Sequence, residues 1–406
     1  MAKNKTILIL DLGSHMNNIG GQNKVAKMLF DDLSGKFNTY YLGYETAYFK
    51  KSKNMILLKR GRMLNDSARK SAVSELQPVR ALYNFIVVRN MVQLRMELND
   101  ILEQLKMIKP DIVVANAIQD ITLINYLRSH GIEFKSIYID HGSVSTNIKG
   151  YFSKEGIPLT FGTGIFGINV DSIKRKFFNS FDMCIALNVN QLKEISKFTQ
   201  KVAYIPNSVK SSMQIGKSKL LAYRSKFGIS KGDFVVLYIG RLFERQKSVS
   251  TIIEAFRSIS SDNMRLLIVG DGPSKRDYER MAKGDNRIIF AGPVGESEVD
   301  YIYELCDVYV LASKWEGTSL TLIEAFNHSL PVIISQSAYT SDYSMDDGTS
   351  LISFKTGDAN ELASRINEIA LNLRLRRVAI AASKKMADRF SVKSMMKRYV
   401  EILSNL

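Results

Sequence analysis

SKWEGTSLTLIEAFNHSLP, residues 313–331, is the stretch from which the fold is read. It follows the apolar run 308–312, which has the length and composition of a buried strand. Gly317, Thr318 and Ser319 then read as a turn, and residues 321–327 as the start of a helix. Strand, loop and helix in that order form the unit of a parallel α/β sheet. In such a sheet ligands gather at the carboxyl ends of strands, where helix N-termini present N–H groups to anions. Glu316 and Glu324, with seven residues between them, repel a phosphate but accept hydrogen bonds well from a hydroxyl-rich ligand. A sugar and a ribose satisfy both demands. Taken singly, Glu316 also suits a helix dipole and Glu324 a solvated face.

Other strand ends carry matching chemistry. GRLFERQKS, residues 240–248, follows the apolar run 234–239, and LLIVGDGP, residues 266–273, carries the next strand into a turn. Gly240 permits a tight turn, and Arg241 and Lys247 set two cations at one strand end, the arrangement a diphosphate requires. In SIYIDHGSVS, residues 136–145, a strand delivers His141 to a loop. Gly20 and Gly21 follow the first strand, residues 6–10, and precede an amphipathic helix, where bare backbone can approach a ligand.

In these motifs the chain resembles glycosyltransferase family 4, over most of its C-terminal half and more thinly over its N-terminal half. The resemblance implies the α/β GT-B fold: two Rossmann-like domains facing a central cleft, with a C-terminal helix crossing back to the first. The expected divisions are 1–209 on the acceptor side, 210–386 for the nucleotide sugar and 387–406 for the returning helix. It also implies roles. Arg241 and Lys247, beside Gly240, hold the donor diphosphate. Glu316 faces the sugar and Glu324 the ribose, with Gly317, Thr318, Ser319 and Leu320 beside them. His141 hydrogen-bonds the donor sugar, Gly20 and Gly21 lie near its phosphates, and Gly292, Pro293 and Val294 border the base. His141, Arg241, Lys247 and Glu316 carry the catalytic expectation. The implied reaction is retaining transfer of a sugar from a nucleotide diphosphate sugar to a hydroxyl of a lipid-linked or polymeric glycan, with no metal and no cofactor. Two departures stand out: Ser248 and Ser329 occupy positions where the family has glycine.

Size and charge fit this outline. A chain of 406 residues is comfortable for two domains, and 45% apolar content lets both bury a core. No run approaches the roughly 18 to 20 apolar residues of a membrane span. The opening MAKNKTILILDLG reads as a first strand, since the apolar run stops at Asp11 with no small-residue cleavage site after it. Cys184 and Cys306 sit among apolar neighbours and read as buried free thiols, which fits a reducing, cytoplasmic compartment. The net charge of +16 is concentrated: residues 46–96 hold eleven Lys or Arg against Asp66 and Glu75. The basic segment 59–95, expected to be helical and interrupted at Pro78, suits an anionic membrane surface or a phosphate-bearing acceptor, and a solvated face with no partner is its plain alternative.

Several features are set aside. Gly162, Gly164 and Gly167 have dinucleotide-loop spacing, but KEGIPLT before them does not read as a strand. Around them Tyr151, Phe152, Phe161, Phe166, Lys174, Phe177 and Phe178 suit either an interface or a buried cluster. Asp346 and Asp347 read as a surface turn, and the four histidines lack metal-ligand spacing. Two competing readings remain. An inverting transferase or nucleotide-sugar epimerase on the same fold could use His15 as a base. A basic membrane- or nucleic-acid-binding module would explain the charge, but no nucleic-acid motif is present.

Overall fold

The computed structural model describes residues 5–12, 21–44, 52–58, 102–118, 120–141, 159–160, 168–210, 215–344 and 350–406. The basic segment 59–95, Gly20, His15, the glycines at 162, 164 and 167, Tyr151, Phe152, Phe161, Phe166, Asp346 and Asp347 lie outside them. The chain divides into two compact units, Met1–Pro206 with Met395–Leu406, and Asn207–Ser394.

In the first unit the strands are β1 (Thr6–Asp11), β2 (Asn38–Tyr44), β3 (Met55–Leu58), β4 (Ile112–Ala115), β5 (Lys135–Asp140), β6 (Leu159–Thr160), β7 (Ile168–Asn169), β8 (Met183–Ala186) and β9 (Val202–Tyr204). Seven of them form one sheet in the order β3-β2-β1-β4-β5-β8-β9, and every pairing is parallel. Strands buried on both faces read as continuous apolar runs, which is why β1 was recognisable as TILIL; β4, IVVA, has the same character. Leu8, Leu10, Val113 and Ala115 join one core cluster with Tyr138, Phe177, Phe178 and Phe181. Phe177 and Phe178 therefore belong to the buried alternative. Tyr138 stacks on Phe181, with ring centroids 5.1 Å apart and planes at 27°, and meets Phe177 edge-on at 5.0 Å. Leu159–Thr160, read as no strand, forms a two-residue parallel ladder with Ile168–Asn169, outside both main sheets. A bridge that short carries little apolar signal.

The second unit contains β10 (Phe234–Ile239), β11 (Met264–Val269), β12 (Ile288–Gly292), β13 (Val308–Leu311), β14 (Val332–Ser335) and β15 (Ile352–Phe354). They form an all-parallel sheet in the order β12-β11-β10-β13-β14-β15. Alternation along β10 assigns its two faces: Val236 and Tyr238 pack with Ile252 and Phe256, whereas Val235, Leu237 and Ile239 pack with Ile323 and Phe326. These are two Rossmann-like α/β units, the architecture of GT-B enzymes. In each sheet the strand order reverses beside the first strand, between β1 and β4 and between β10 and β13. Those switch points are where open α/β sheets hold ligands.

One expected helix is divided. The stretch from 387 onward is the end of helix Leu373–Arg389 followed by helix Val392–Asn405. Phe390 caps the first helix and packs against Phe326 and Tyr343, and the Ser391 hydroxyl accepts from Ser394 N at 3.3 Å to start the second. Within the first unit, Lys5 Nζ donates to the carbonyls of Leu403 and Ser404, and Arg398 to that of Tyr204.

Both serines that stand where the family has glycine are left-handed, Ser248 at φ 48° and Ser329 at φ 57°. Ser329 ends helix Leu320–Asn327 in a Schellman motif, with Leu330 N bonded to Ala325 O and Ser329 N to Phe326 O. A left-handed non-glycine residue costs about 1 kcal/mol. Ser329→Gly is therefore expected to raise the unfolding free energy in urea by about 1 kcal/mol. Ser248→Gly should gain less, because the Ser248 hydroxyl also meets Thr251 Oγ1 at 3.1 Å.

Candidate functional site

At the switch point of the second sheet, three loops are held together by their backbones. After β10 the chain passes Gly240, at φ 154°, and buries Leu242. The loop after β11 lies directly against it: Leu242 N donates to Asp271 O at 2.9 Å, and Ser274 N to Leu242 O at 3.0 Å. A Cβ at Gly270 would stand 2.0 Å from Gly240 O, and one at Gly272 would stand 2.3 Å from Leu242 O. Only glycine permits this approach. The loop after β13 joins through Lys314 N, which donates to Gln246 O at 2.7 Å, and through Gln246 Nε2, which donates to Trp315 O.

This arrangement brings Lys247 and Glu316 together. Lys247 Nζ lies 2.5 Å from Glu316 Oε1, and the side chains are only 16% and 8% exposed, so water screens the pair little. Lys247 ends the helical turn Glu244–Lys247, and the left-handed Ser248 that follows starts helix Val249–Arg257. Glu244 pins that corner: it accepts from Ser250 Oγ at 2.9 Å, Ser250 N at 3.2 Å and Tyr278 Oη at 2.8 Å. Arg241, at the same strand end, is exposed, with its guanidinium 5.3 Å from the centre of the Phe243 ring. Among the described residues no carboxylate pairs with it.

Glu324 lies on helix Leu320–Asn327, where Tyr303 Oη contacts both Glu324 Oε2 and Thr321 O at 2.9 Å. The Ser319 hydroxyl meets Thr321 Oγ1 at 3.0 Å instead of capping the helix, and Thr321 Oγ1 also meets Tyr309 Oη at 2.8 Å. Gly317 and Thr318 occupy the loop between Glu316 and that helix. Gly292 ends β12 at φ 72° and accepts from Gly270 N, followed by exposed Pro293 and partly buried Val294. The residues expected around a donor in this half thus come from neighbouring strand ends of one sheet.

The first sheet has its own polar network at its switch point. Asp11, fully buried at the end of β1, accepts from Asn23 Nδ2 and Tyr41 Oη at 2.8 Å and from Asn116 Nδ2 at 3.4 Å. Gly43 makes room for the Tyr41 ring, since a Cβ there would meet Tyr41 Oη at 2.8 Å. Burial raises the Asp11 pKa against these three donors. Asp120 accepts from Leu12 N at 2.9 Å and from Asn116 N and Ala117 N at 2.8 Å, tying the loop after β1 to the loop after β4. Burial, reinforced by the Asp11 charge, outweighs those donors and pushes Asp120 up to about 7. His141, just after β5, has Nε2 2.9 Å from Asn116 Oδ1, and desolvation lowers its pKa to about 3, so the ring is neutral. Gly21 is the exposed first residue of helix Gly21–Leu33, beside Gln22, whose carbonyl accepts from Asn116 Nδ2 at 2.9 Å.

Sequence reading missed Asp11, Tyr41, Asn116, Asp120 and Glu244. Asp11 and Asn116 follow fully buried parallel runs at their carboxyl ends, the position that singled out His141. Among the described residues, no group of three His, Cys, Asp or Glu side chains could hold a metal ion, and no helix is long and apolar enough to cross a membrane.

Comparison with known proteins agrees with this geometry. Residues 221–386, less than half of the chain, match the family model of Glycosyl transferases group 1. An alpha-monoglucosyldiacylglycerol synthase from Acholeplasma laidlawii is 35% identical over 118 residues, 28% of this chain and 29% of that protein. The synthase of the same name from Streptococcus pneumoniae is 26% identical over 188 residues, 44% of this chain and 42% of that protein. The matches therefore span less than half the length of either relative. Among solved structures, HepE of Anabaena, in complex with UDP and glucose, is similar with a TM-score of 0.69 and 16% identity, covering 98% of this chain and 99% of that one. At that identity the likeness is one of fold.

Asp120 supplies a test in pH. A carboxyl whose folded pKa is raised keeps its proton where the unfolded chain has lost it, so its contribution to stability is full below the ordinary value of 3.8 and is lost as pH rises toward about 7. In urea unfolding from about pH 4 to about pH 8, the wild type should lose stability relative to Asp120→Asn as pH increases. Parallel curves would mean that Asp120 is already ionised at the acidic end.

Proposed function

We propose that this chain is a retaining glycosyltransferase that takes a sugar from a nucleotide diphosphate sugar and passes it to a hydroxyl of a lipid-linked or polymeric glycan. The observation that carries the reading is the Lys247–Glu316 pair at the switch point, with Arg241 at the same strand end and the N-terminus of helix Leu320–Asn327 beside it. As the sugar–phosphate bond breaks, negative charge grows on the diphosphate while the sugar carbon becomes oxocarbenium-like. Lys247 and Arg241 stabilise the leaving group, and an oriented donor of this kind contributes about 3 to 4 kcal/mol, or 10²- to 10³-fold in rate. Glu316, held against Lys247 before binding, accepts hydrogen bonds from sugar hydroxyls, and Glu324 does the same for the ribose. The two cations supply the charge neutralisation that a metal would otherwise provide, so the reaction is proposed to be metal-independent.

The UDP and glucose bound to HepE support a nucleotide sugar as donor, and the names of the two bacterial relatives support a lipid acceptor and an alpha-linked product. An alpha-linked product from an alpha-linked donor means retention. The charge of +16 supports work at an anionic membrane face on the cytoplasmic side.

Purified protein incubated with a panel of nucleotide sugars should release nucleoside diphosphate from at least one of them, and the anomeric configuration of the product distinguishes retention from inversion. Glu324→Gln should raise KM for that donor about tenfold with a smaller change in kcat, as for a lost hydrogen bond to a charged group. Lys247→Met should lower kcat about 10²-fold or more. It also strands a buried carboxylate, at about 3 to 5 kcal/mol. The double variant Lys247→Met/Glu316→Gln should recover most of that stability and none of the activity. Recovery of activity in the double variant would contradict the role given to Lys247.

A further inference from the structure

Asn116 and Asp11 are both fully buried in the first unit. Asn116 leaves β4 with its side chain between Asp11 and His141. Its Nδ2 faces two acceptors, Gln22 O at 2.9 Å and Asp11 Oδ1 at 3.4 Å. Turning the amide over would set its oxygen against both and forfeit two hydrogen bonds at a buried site. Oδ1 is therefore the atom that faces His141 Nε2 at 2.9 Å, and it can only accept. Asp11 is held in turn by donors from Asn23 and Tyr41, both on its Oδ2, which leaves Oδ1 toward Asn116.

We infer that Asn116 is a positioning residue that fixes the tautomer of His141, with the proton on Nε2 and the lone pair on Nδ1. Among the described residues Nδ1 has no partner. Its ligand must then be a hydrogen-bond donor: a sugar hydroxyl fits and a carbonyl oxygen does not. The ring stays neutral because burial lowers its pKa to about 3. Use of the ring toward a sugar hydroxyl rests on the glycosyl-transfer reading, whereas the tautomer itself is a property of the first unit alone.

The test is ¹⁵N NMR of the imidazole nitrogens in the full-length protein. There are four histidines, and His141 is assigned by its loss in His141→Gln, or by elimination with His15→Gln, His130→Gln and His328→Gln. At neutral pH the His141 ring should be a single neutral species protonated on Nε2, with that proton slow to exchange. Asn116→Leu keeps the side chain's bulk and removes the acceptor, and should speed this exchange about tenfold or more. A wild-type ring protonated on Nδ1, or exchange unchanged in Asn116→Leu, overturns the inference. The wild-type spectrum alone decides the tautomer should Asn116→Leu not fold. These readouts need no substrate, so absence of turnover with every nucleotide sugar would count against the glycosyl-transfer reading and leave the tautomer to be judged by the spectrum. With an active donor, Asn116→Leu should lower kcat/KM about tenfold, and unchanged transfer in a variant whose exchange has accelerated would overturn the use of the ring.

Discussion

A mostly buried lysine and glutamate, brought together from positions 69 residues apart in sequence, set the constraint on which the second unit depends. Taking Lys247 and Glu316 out of water costs several kcal/mol per ion, and their attraction at 2.5 Å does little more than offset that cost. Such a pair is weak evidence for stability. Its value lies in orientation: on the proposed reading, a cation already held at the switch point needs no reorganisation when a diphosphate arrives. The surrounding structure serves that aim. Gly270 and Gly272 let one loop backbone lie on another, Ser248 accepts a left-handed corner, and Glu244 pins the turn that carries Lys247.

The same logic operates in the first unit with different chemistry. There, two buried carboxyl groups, Asp11 and Asp120, are satisfied by backbone donors from the loops after β1 and β4 and by side-chain donors from Asn23, Tyr41 and Asn116. Buried polar networks of this kind are costly when half satisfied and rigid when complete. The second unit holds a cation in place through an ion pair, and the first holds a neutral imidazole through an amide.

Much of this was legible in sequence because parallel strands buried on both faces have no polar residue until they end. The runs at 6–10, 234–239, 266–269 and 308–312 named their strands, and the polar residues that followed suggested a ligand-binding edge. Arg241, Lys247, Glu316 and Glu324 stood out there. Contacts made by pairing across the sheet were not legible. Tyr41 reaches Asp11 only because β2 lies beside β1, and nothing in the order of residues announces that neighbour. Asp11 was read as the end of an apolar run and Asn116 was given no role, since one asparagine or aspartate after a strand has many ordinary uses. The break at Phe390 and Ser391 escaped notice because both residues tolerate a helix, and it is the pull of Phe390 into the core beside Phe326 that divides the two helices.

The account stands on where a diphosphate sits. A crystal structure of the protein with UDP tests it most directly. The prediction is a β-phosphate within hydrogen-bond distance of Lys247 Nζ and Arg241, the N-terminus of helix Leu320–Asn327 pointing at it, and the ribose hydroxyls on Glu324. A nucleotide bound elsewhere, with the Lys247–Glu316 pair untouched, would contradict it.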